Sequence, residues 1–497
     1  MKNKIKFGWA EGSITPEKRI RLAGQFYDRI SQEVESPVTA TALAIQAGDQ
    51  QTILCSVDET HIFGDLVERI REKLKSLAPD INTDNIVINA THTHNSLMYT
   101  SDRELGLDVL TKYLGLESAP MFGEGNIHTD NVMEPDEAAV YLTDRLAEVI
   151  LEAWKALGPA YFSCGFGRAA VGMNRRVCYH DGSAKMWGDA AKDNFKQLEG
   201  GNDNGIELMF IYDENKKPTG AIINIACPSQ VMEQRYCVSA DYWGTVKTML
   251  RKYFGEDFKV LALCAPAGDQ CPRDLVRWIE PETPIEDPNV IRNDPPIRRA
   301  DPSMYDVAGL RKIGRRISTE VIAVYEEDER ILQDEAEFDH IAVQMPLPLR
   351  RVTEQENADA RRALKEFADT HDNSKLDFND TANMHVHAGI AERYDMQKEV
   401  STVNAEVHVI RLGDIAIASD PFELFLDFAN VIRARSAAKQ TFLIQLANDG
   451  MGYLPTEKAE QGGHYSAYVS SGCVGHEGGY ILAENTLELI DKLFKED

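Results

Sequence analysis

Ile86-Val87-Ile88-Asn89-Ala90-Thr91-His92-Thr93-His94 is the stretch on which the reading of this chain turns. Its first five residues are an apolar run that reads as a buried strand, and two imidazoles follow where the run ends. Side chains at alternate positions project to different sides. One imidazole can then hold a metal while the other handles protons or substrate. A solitary His-x-His is more often a pair of hydrogen-bonded turn residues, so the surrounding sequence has to decide.

Working outward, the strand closes a pattern of hairpin, helix and further strand. Thr41–Ala47 and Gln51–Val57 flank the turn Gly48-Asp49-Gln50. The second strand runs into Asp58-Glu59-Thr60-His61, and a helix follows with Leu66, Val67, Ile70 and Leu74 on one face. The pattern recurs with Ile206–Tyr212 and Ala221–Ala226, a helix near Tyr242–Tyr253, and the strand Lys259–Cys264 before Ala265-Pro266-Ala267-Gly268-Asp269-Gln270-Cys271-Pro272. A third copy has Ala405–Leu412 and Asp414–Ser419, then Asp420-Pro421-Phe422-Glu423, a helix through Arg435, and Thr441–Ala447 before Asn448-Asp449-Gly450-Met451-Gly452-Tyr453. Open α/β sheets place ligands beyond the carboxyl ends of their strands, so these polar loops are expected to converge on one crevice. Long helices are expected over Asp136–Leu157, Met304–Tyr325 and Leu487–Phe494, and an irregular excursion over Pro281–Pro302.

The bulk numbers bound the function. At 497 residues, with 43% hydrophobic and 27% charged residues, the chain has ample material for a large α/β enzyme. A net charge of -27 leaves no basic stripe to neutralise phosphates, which argues against a nucleic-acid or anionic-membrane partner. No segment approaches the length of a membrane span, and Met1–Phe7 is not followed by an apolar signal core. The eight cysteines are scattered, and Cys55, Cys164 and Cys264 fit as reduced core residues of a cytoplasmic protein. Cys473-Val-Gly-His476 reads as an ordinary glycine-rich loop, and His385-Val386-His387 as an edge or loop feature. Trp187 and Trp243 are core residues by default.

With these motifs assembled, the chain resembles the neutral ceramidase superfamily, zinc amidases that cut the N-acyl bond of ceramide. Ala90-Thr91-His92-Thr93-His94 matches the family's Ala-Thr-His-Thr-His. Met173-Asn174-Arg175 resembles its Ile-Asn-Arg, and Ser239-Ala240-Asp241-Tyr242 its Ser-Asp-Asn stretch before a helix. Ala267-Gly268-Asp269-Gln270-Cys271-Pro272 stands for its Gly-Asp-x-Ser-Pro, Pro421-Phe422-Glu423 for its Pro-Gly-Glu, and Tyr453 for its strand-end tyrosine. The resemblance implies an α/β fold with a mixed β-sheet core flanked by helices. It implies one catalytic domain over residues 1–497, without the C-terminal immunoglobulin-like domain of secreted ceramidases.

Carried over by position, His92, Glu423 and Tyr453 are the expected zinc ligands, with His94 beside the metal and Asn174 and Arg175 facing substrate. Zinc held this way activates a water and polarises a carbonyl. His94 or Asp241 would relay protons, and Arg175 with N–H groups of the Gly268 loop would stabilise an oxyanion. Asp269 is expected chiefly to shape its loop, with catalysis secondary. Two departures stand out. The family's second metal histidine aligns with Pro228, leaving adjacent Cys227 or His61 as replacements; Cys271 stands for a serine, as an activated nucleophile or an inert substitution. An acidic, cytoplasmic chain with neither signal core nor immunoglobulin-like domain has no easy access to bilayer ceramide, so a small polar substrate is expected, cut at a C–N or related bond, with no membrane anchor and a homo-oligomer as a further possibility. The alternatives are a metal-free glycoside-active enzyme using Asp241, Asp269 and Glu423, and a binding protein whose metal site has decayed.

Overall fold

The computed structural model describes residues 2–25, 29–100, 107–115, 130–277, 307–327, 331–372, 376 and 378–495. Unit 1 begins with β1 (Asn3–Ser13), antiparallel to β2 (Thr39–Ala47). The chain turns back through β3 (Gln50–Val57), crosses over α1 (Gly64–Leu77), and returns as β4 (Ile86–Ala90), parallel to β3. Helix α2 (Pro135–Lys155) then lies on β1 and β2.

Units 2 and 3 repeat the order. In unit 2, β5 (Tyr161–Arg168), β6 (Gly205–Tyr212) and β7 (Pro218–Ile225) are antiparallel, α3 (Tyr242–Phe254) crosses over, and β8 (Lys259–Cys264) runs parallel to β7. Its covering helix is α4 (Val307–Glu326). In unit 3 the same places are taken by β9 (Phe338–Pro348), β10 (Thr402–Leu412), β11 (Ile415–Ser419), α5 (Leu426–Arg435), β12 (Gln440–Ile444) and α6 (His476–Phe494). The result is a mixed α/β fold with helices flanking the sheets, as the sequence led one to expect.

Local chemistry explains the repeat. The tight turns after β2 and β10 place Gly48 at φ +58° and Gly413 at φ +60°, a conformation that favours glycine. Strand β4 is buried at all five residues, which is why it reads as a continuous apolar run rather than an alternating one. On α1 the buried residues Leu66, Val67, Ile70 and Leu74 form one stripe.

The inner faces of the sheets share a core: Phe7, Leu54 and Val87 from unit 1 meet Phe162, Ile222 and Leu261 from unit 2, and Ile410, Ile417 and Phe442 from unit 3. Each such side chain contributes about 1.5–3 kcal/mol by leaving water. Within this core, asparagines link the units in a ring. Asn89 Nδ2 donates to the Ala262 carbonyl of unit 2 (3.4 Å), and Asn224 Nδ2 to the Leu443 carbonyl of unit 3 (2.8 Å). Asn448 closes the circle onto unit 1, donating to the Ile86 carbonyl (3.0 Å) and accepting from the Ile88 N–H (2.7 Å).

The structure corrects several expectations. Strands β1 and β9 were not foreseen in the sequence, and of β5 only the strand setting of Cys164 was; β5 and β9 complete four-stranded sheets, and β1 pairs with β2 in a six-stranded one. All eight cysteines are free, with Cys55 and Cys264 buried, but Cys164 is exposed. His385 and His387 lie on the helix Phe378–Met396, not on an edge or loop, because the run from Phe378 has no strand partner and packs beside the helix Glu354–Thr370. Pro281–Pro302 lies outside the described residues, as does the start of Met304–Tyr325. No helix among the described residues is long and apolar enough to cross a membrane.

Candidate active site

The polar loops leave the carboxyl ends of the parallel strands and meet at one end of the shared core. The loop after β4 turns sharply, with His92 at φ +63°. For a residue with a Cβ this conformation costs roughly 1–3 kcal/mol and is found where the surroundings enforce it. Here His92 Nδ1–H donates to the Thr60 carbonyl (2.7 Å), which fixes the ring and turns Nε2 outward. Glu423 and Tyr453 arrive together from unit 3, as directly opposed residues of a short parallel ladder, Glu423–Leu424 against Tyr453–Leu454.

The three residues read as ligands do converge. His92 Nε2 lies 3.5 Å from Glu423 Oε2, and Tyr453 stands directly across the ladder from Glu423. His61 joins them: its Nε2 is 3.7 Å from Glu423 Oε1, and its ring meets that of His92 edge-on at 5.2 Å. His94 Nε2 is 3.3 Å from His92 Nε2, and the two rings meet edge-on.

Burial lowers the pKa of His61, against the pull of Glu423, and lowers that of His94 much further, helped by His92 and Arg29. Burial would raise the Glu423 carboxyl, but the facing His92 and His61 imidazoles outweigh it and hold it well below the usual carboxylate range. Among the described residues no group of three or more His, Cys, Asp or Glu side chains is preassembled to hold a metal ion.

Arg175 spans the far side. Its Nη2 donates to the Gly268 carbonyl (2.9 Å) and to the Tyr453 hydroxyl (3.2 Å), and its Nη1 to Gln230 Oε1 (3.3 Å). Its Nε is buried without a partner, as is His94 Nδ1. Glu233 is near both: its Oε2 accepts from Gln230 Nε2 (3.1 Å), the side chain that Arg175 also bonds, and lies 3.7 Å from His94 Nδ1. Burial pushes its carboxyl up to about 7, although Arg175, Arg29 and Arg273 pull the other way.

Two solved structures are similar over almost the whole chain. One is neutral ceramidase from Pseudomonas aeruginosa, with a TM-score of 0.64 and 14% identity over 99% of this chain and 76% of that one. The fold is that of neutral ceramidase. A second structure, of a ceramidase complexed with C2, gives 0.63 and 15% over 99% and 75%. No family model matches the sequence, and no curated protein does. The likeness to neutral ceramidase is therefore carried by topology.

On this ceramidase fold the polar side chains in the loops of unit 2 are largely committed to their surroundings. Asp241 caps α3 with φ +53°; its Oδ1 accepts from the Tyr242 N–H and its Oδ2 from the Met232 N–H, both at 2.8 Å. Burial pushes it up to about 7, but both oxygens are committed to the backbone. Asp269 is likewise committed, to Asn174 Nδ2 (2.7 Å) and the Leu426 N–H (3.0 Å). Asn174 turns to Asp269 and to the Arg176 N–H (3.0 Å).

The Gly268 N–H, expected to face an oxyanion, donates to the Leu424 carbonyl (2.9 Å). Cys271 is fully buried, donates to the Arg273 carbonyl (3.2 Å), and is pushed up to about 12 by burial, against Arg175; an activated thiolate does not fit. Cys227 points its thiol at the Val171 carbonyl (3.7 Å), and burial raises its pKa well above the ordinary value.

Gln230 and Glu233 were not singled out as site residues in the sequence; the one signal was their place in the loop after β7. Trp243 lies in the core of unit 2, while Trp187 is partly exposed beneath the Arg273 guanidinium, 5.4 Å from its ring. The glycine-rich end is structural as expected: His476 Nδ1 pairs with Glu460 (2.9 Å), and Cys473 donates to the Met451 carbonyl.

Proposed function

We propose that this protein is a metal-dependent hydrolase that cuts a C–N or related bond of a small polar metabolite, with His92, Glu423 and Tyr453 holding the ion. The supporting observation is that donors from distant parts of the chain meet with suitable spacing. The edge of a tetrahedron with bonds of about 2.1 Å is about 3.4 Å, and His92 Nε2 stands 3.5 Å from Glu423 Oε2. The chemistry of the set also fits, since imidazole, carboxylate and phenol are nitrogen and oxygen donors of the kind zinc accepts. Bound zinc would supply a water with a pKa near 7 and a Lewis acid for the carbonyl.

The protein's own part follows from the geometry. His94, kept neutral by burial, can take a proton at its unpartnered Nδ1 and pass it to a departing nitrogen. Arg175 remains cationic and can turn its free Nε–H towards developing negative charge. Glu233 and Gln230 give a substrate polar partners beside this charge, which suits a small polar molecule better than an alkyl chain.

The glycoside reading needs free carboxylates at Asp241 and Asp269, and both are tied to the backbone. The binding-protein reading keeps one favourable observation: no ready-made ligand group stands among the described residues. Metal analysis of protein purified without chelator, with a screen of N-acyl and glycosidic compounds, tests the proposal. One tightly bound zinc per chain is expected, with N-acyl turnover lost in His92→Ala. Metal-free protein that still turns over a glycoside would overturn it.

A further inference from the structure

We infer that His61 is a ligand of the metal, supplied by unit 1 in place of the donor that the loop of unit 2 does not provide; this rests on the metal-dependent reading above. The loops after β3, β7 and β11 occupy equivalent places in the three units. Four residues beyond each strand end stand His61, Ser229 and Glu423. Glu423 reaches into the crevice between two imidazoles, with His92 on one carboxylate oxygen at 3.5 Å and His61 on the other at 3.7 Å. Both distances are longer than an ordinary N–H···O hydrogen bond of about 2.9 Å, and both are near the donor–donor edge of a tetrahedral site, about 3.4 Å. Ser229, the counterpart in unit 2, is fully buried and donates its hydroxyl to the Thr91 carbonyl (2.8 Å), bracing the histidine loop from below. Cys227 and Pro228 in the same loop are buried too, and the Cys227 thiol is directed at Val171.

The His61 ring is held for this role. The Tyr99 hydroxyl donates to the His61 carbonyl (2.9 Å) and accepts from the Phe63 N–H (2.9 Å), pinning the main chain on both sides of the residue. The imidazole stacks on Phe63, with ring centroids 5.5 Å apart and 14° between the planes, and stands perpendicular to His92. Such support is what a ligating imidazole needs to keep its orientation. A side chain one quarter exposed also gives an incoming cation a route from solvent.

Binding measurements decide the matter without reference to turnover. Metal-free protein is titrated with zinc against a chromophoric chelator, and the visible spectrum of the cobalt-loaded protein is recorded. His61→Ala and His61→Gln should each weaken zinc binding at least about tenfold and alter the cobalt absorption, while Cys227→Ser changes neither. Far-UV circular dichroism and Tm identify folded variants; the glutamine variant serves if alanine does not fold. Wild-type affinity and an unchanged cobalt spectrum in a folded His61 variant would overturn the inference and leave the metal-dependent reading standing. Loss of binding in Cys227→Ser alone would overturn it in favour of the thiolate. A wild-type protein that takes up no zinc would remove both.

Discussion

The loops of units 1 and 3 and the loops of unit 2 leave the same kind of strand end, yet they do different work. From units 1 and 3, His61, His92, Glu423 and Tyr453 reach each other across the crevice. In unit 2, Asp241, Asp269, Ser229, Cys227 and Cys271 all spend their polar atoms on nearby backbone or on one another's supports. Identical topology therefore does not confer equal chemical capacity. What separates the two regions is whether a buried polar atom already has a partner: a carboxylate saturated by backbone N–H groups is an anchor, and one facing only side chains across a gap can act on something else. Arg175, on the border, does both.

This contrast can be broken at several points, the largest first. A Cβ at Gly268 would lie 2.2 Å from the Glu423 carbonyl oxygen and 2.8 Å from its carbon. Gly268→Ala should therefore drive units 2 and 3 apart, with a loss of about 3 kcal/mol or more by denaturant titration and weakened zinc binding. Unchanged stability would mean that the two loops are less tightly joined than described. Next, Asp241→Ala leaves two buried backbone N–H groups without an acceptor and should cost about 2–3 kcal/mol. Its zinc affinity, measured on the folded fraction, should match wild type; a selective loss of metal would return Asp241 to the chemistry.

A third test uses pH. Burial raises the Asp420 carboxyl from 3.8 to about 8, so between these values the folded state holds a proton that the unfolded state has released. Stability linked to this group is fully present below about pH 4 and declines as the pH rises towards 8. Asp420→Asn retains an acceptor for the Phe422 N–H and has no proton to lose. It should match wild type near pH 4 and exceed it at pH 8 by urea titration; parallel curves at both pH values would refute the assignment. The smallest effect belongs to Cys271→Ser, which preserves a donor to Arg273 and should change stability by under about 1 kcal/mol and turnover by less than twofold. Strong loss of turnover would show that unit 2 supplies a nucleophile after all.

Much of the scaffold was legible because β4, β8 and β12 are buried on both faces and leave unbroken apolar runs. Their strand-end residues His92, Glu423 and Tyr453 could be paired through the family pattern. Strands β1 and β9 escaped notice, and β5 was caught only around Cys164, for the opposite reason. Strand β5, Tyr161-Phe-Ser-Cys-Gly-Phe-Gly-Arg168, has glycines and exposed residues and gains its ladder only from β6, a partner distant in sequence. The loop-shaping reading of Asp269 agrees with its bond from the Leu426 N–H, whereas the commitments of Asp241 and Cys271 could not be read, because residue type reveals what an atom can do, not whether a neighbour already occupies it. Glu233 was missed because its importance comes from Arg175 and Gln230, one of them brought in from another loop.

The ring formed by Asn89, Asn224 and Asn448 has a consequence for how the molecule comes apart. Each carboxamide satisfies a main-chain carbonyl belonging to the next unit, so peeling away any third of the chain strands amide groups in both of the others. Partial melting is penalised wherever it begins. Calorimetry should accordingly record a single endotherm spanning all three repeats, and the crevice they frame should vanish with that transition rather than ahead of it.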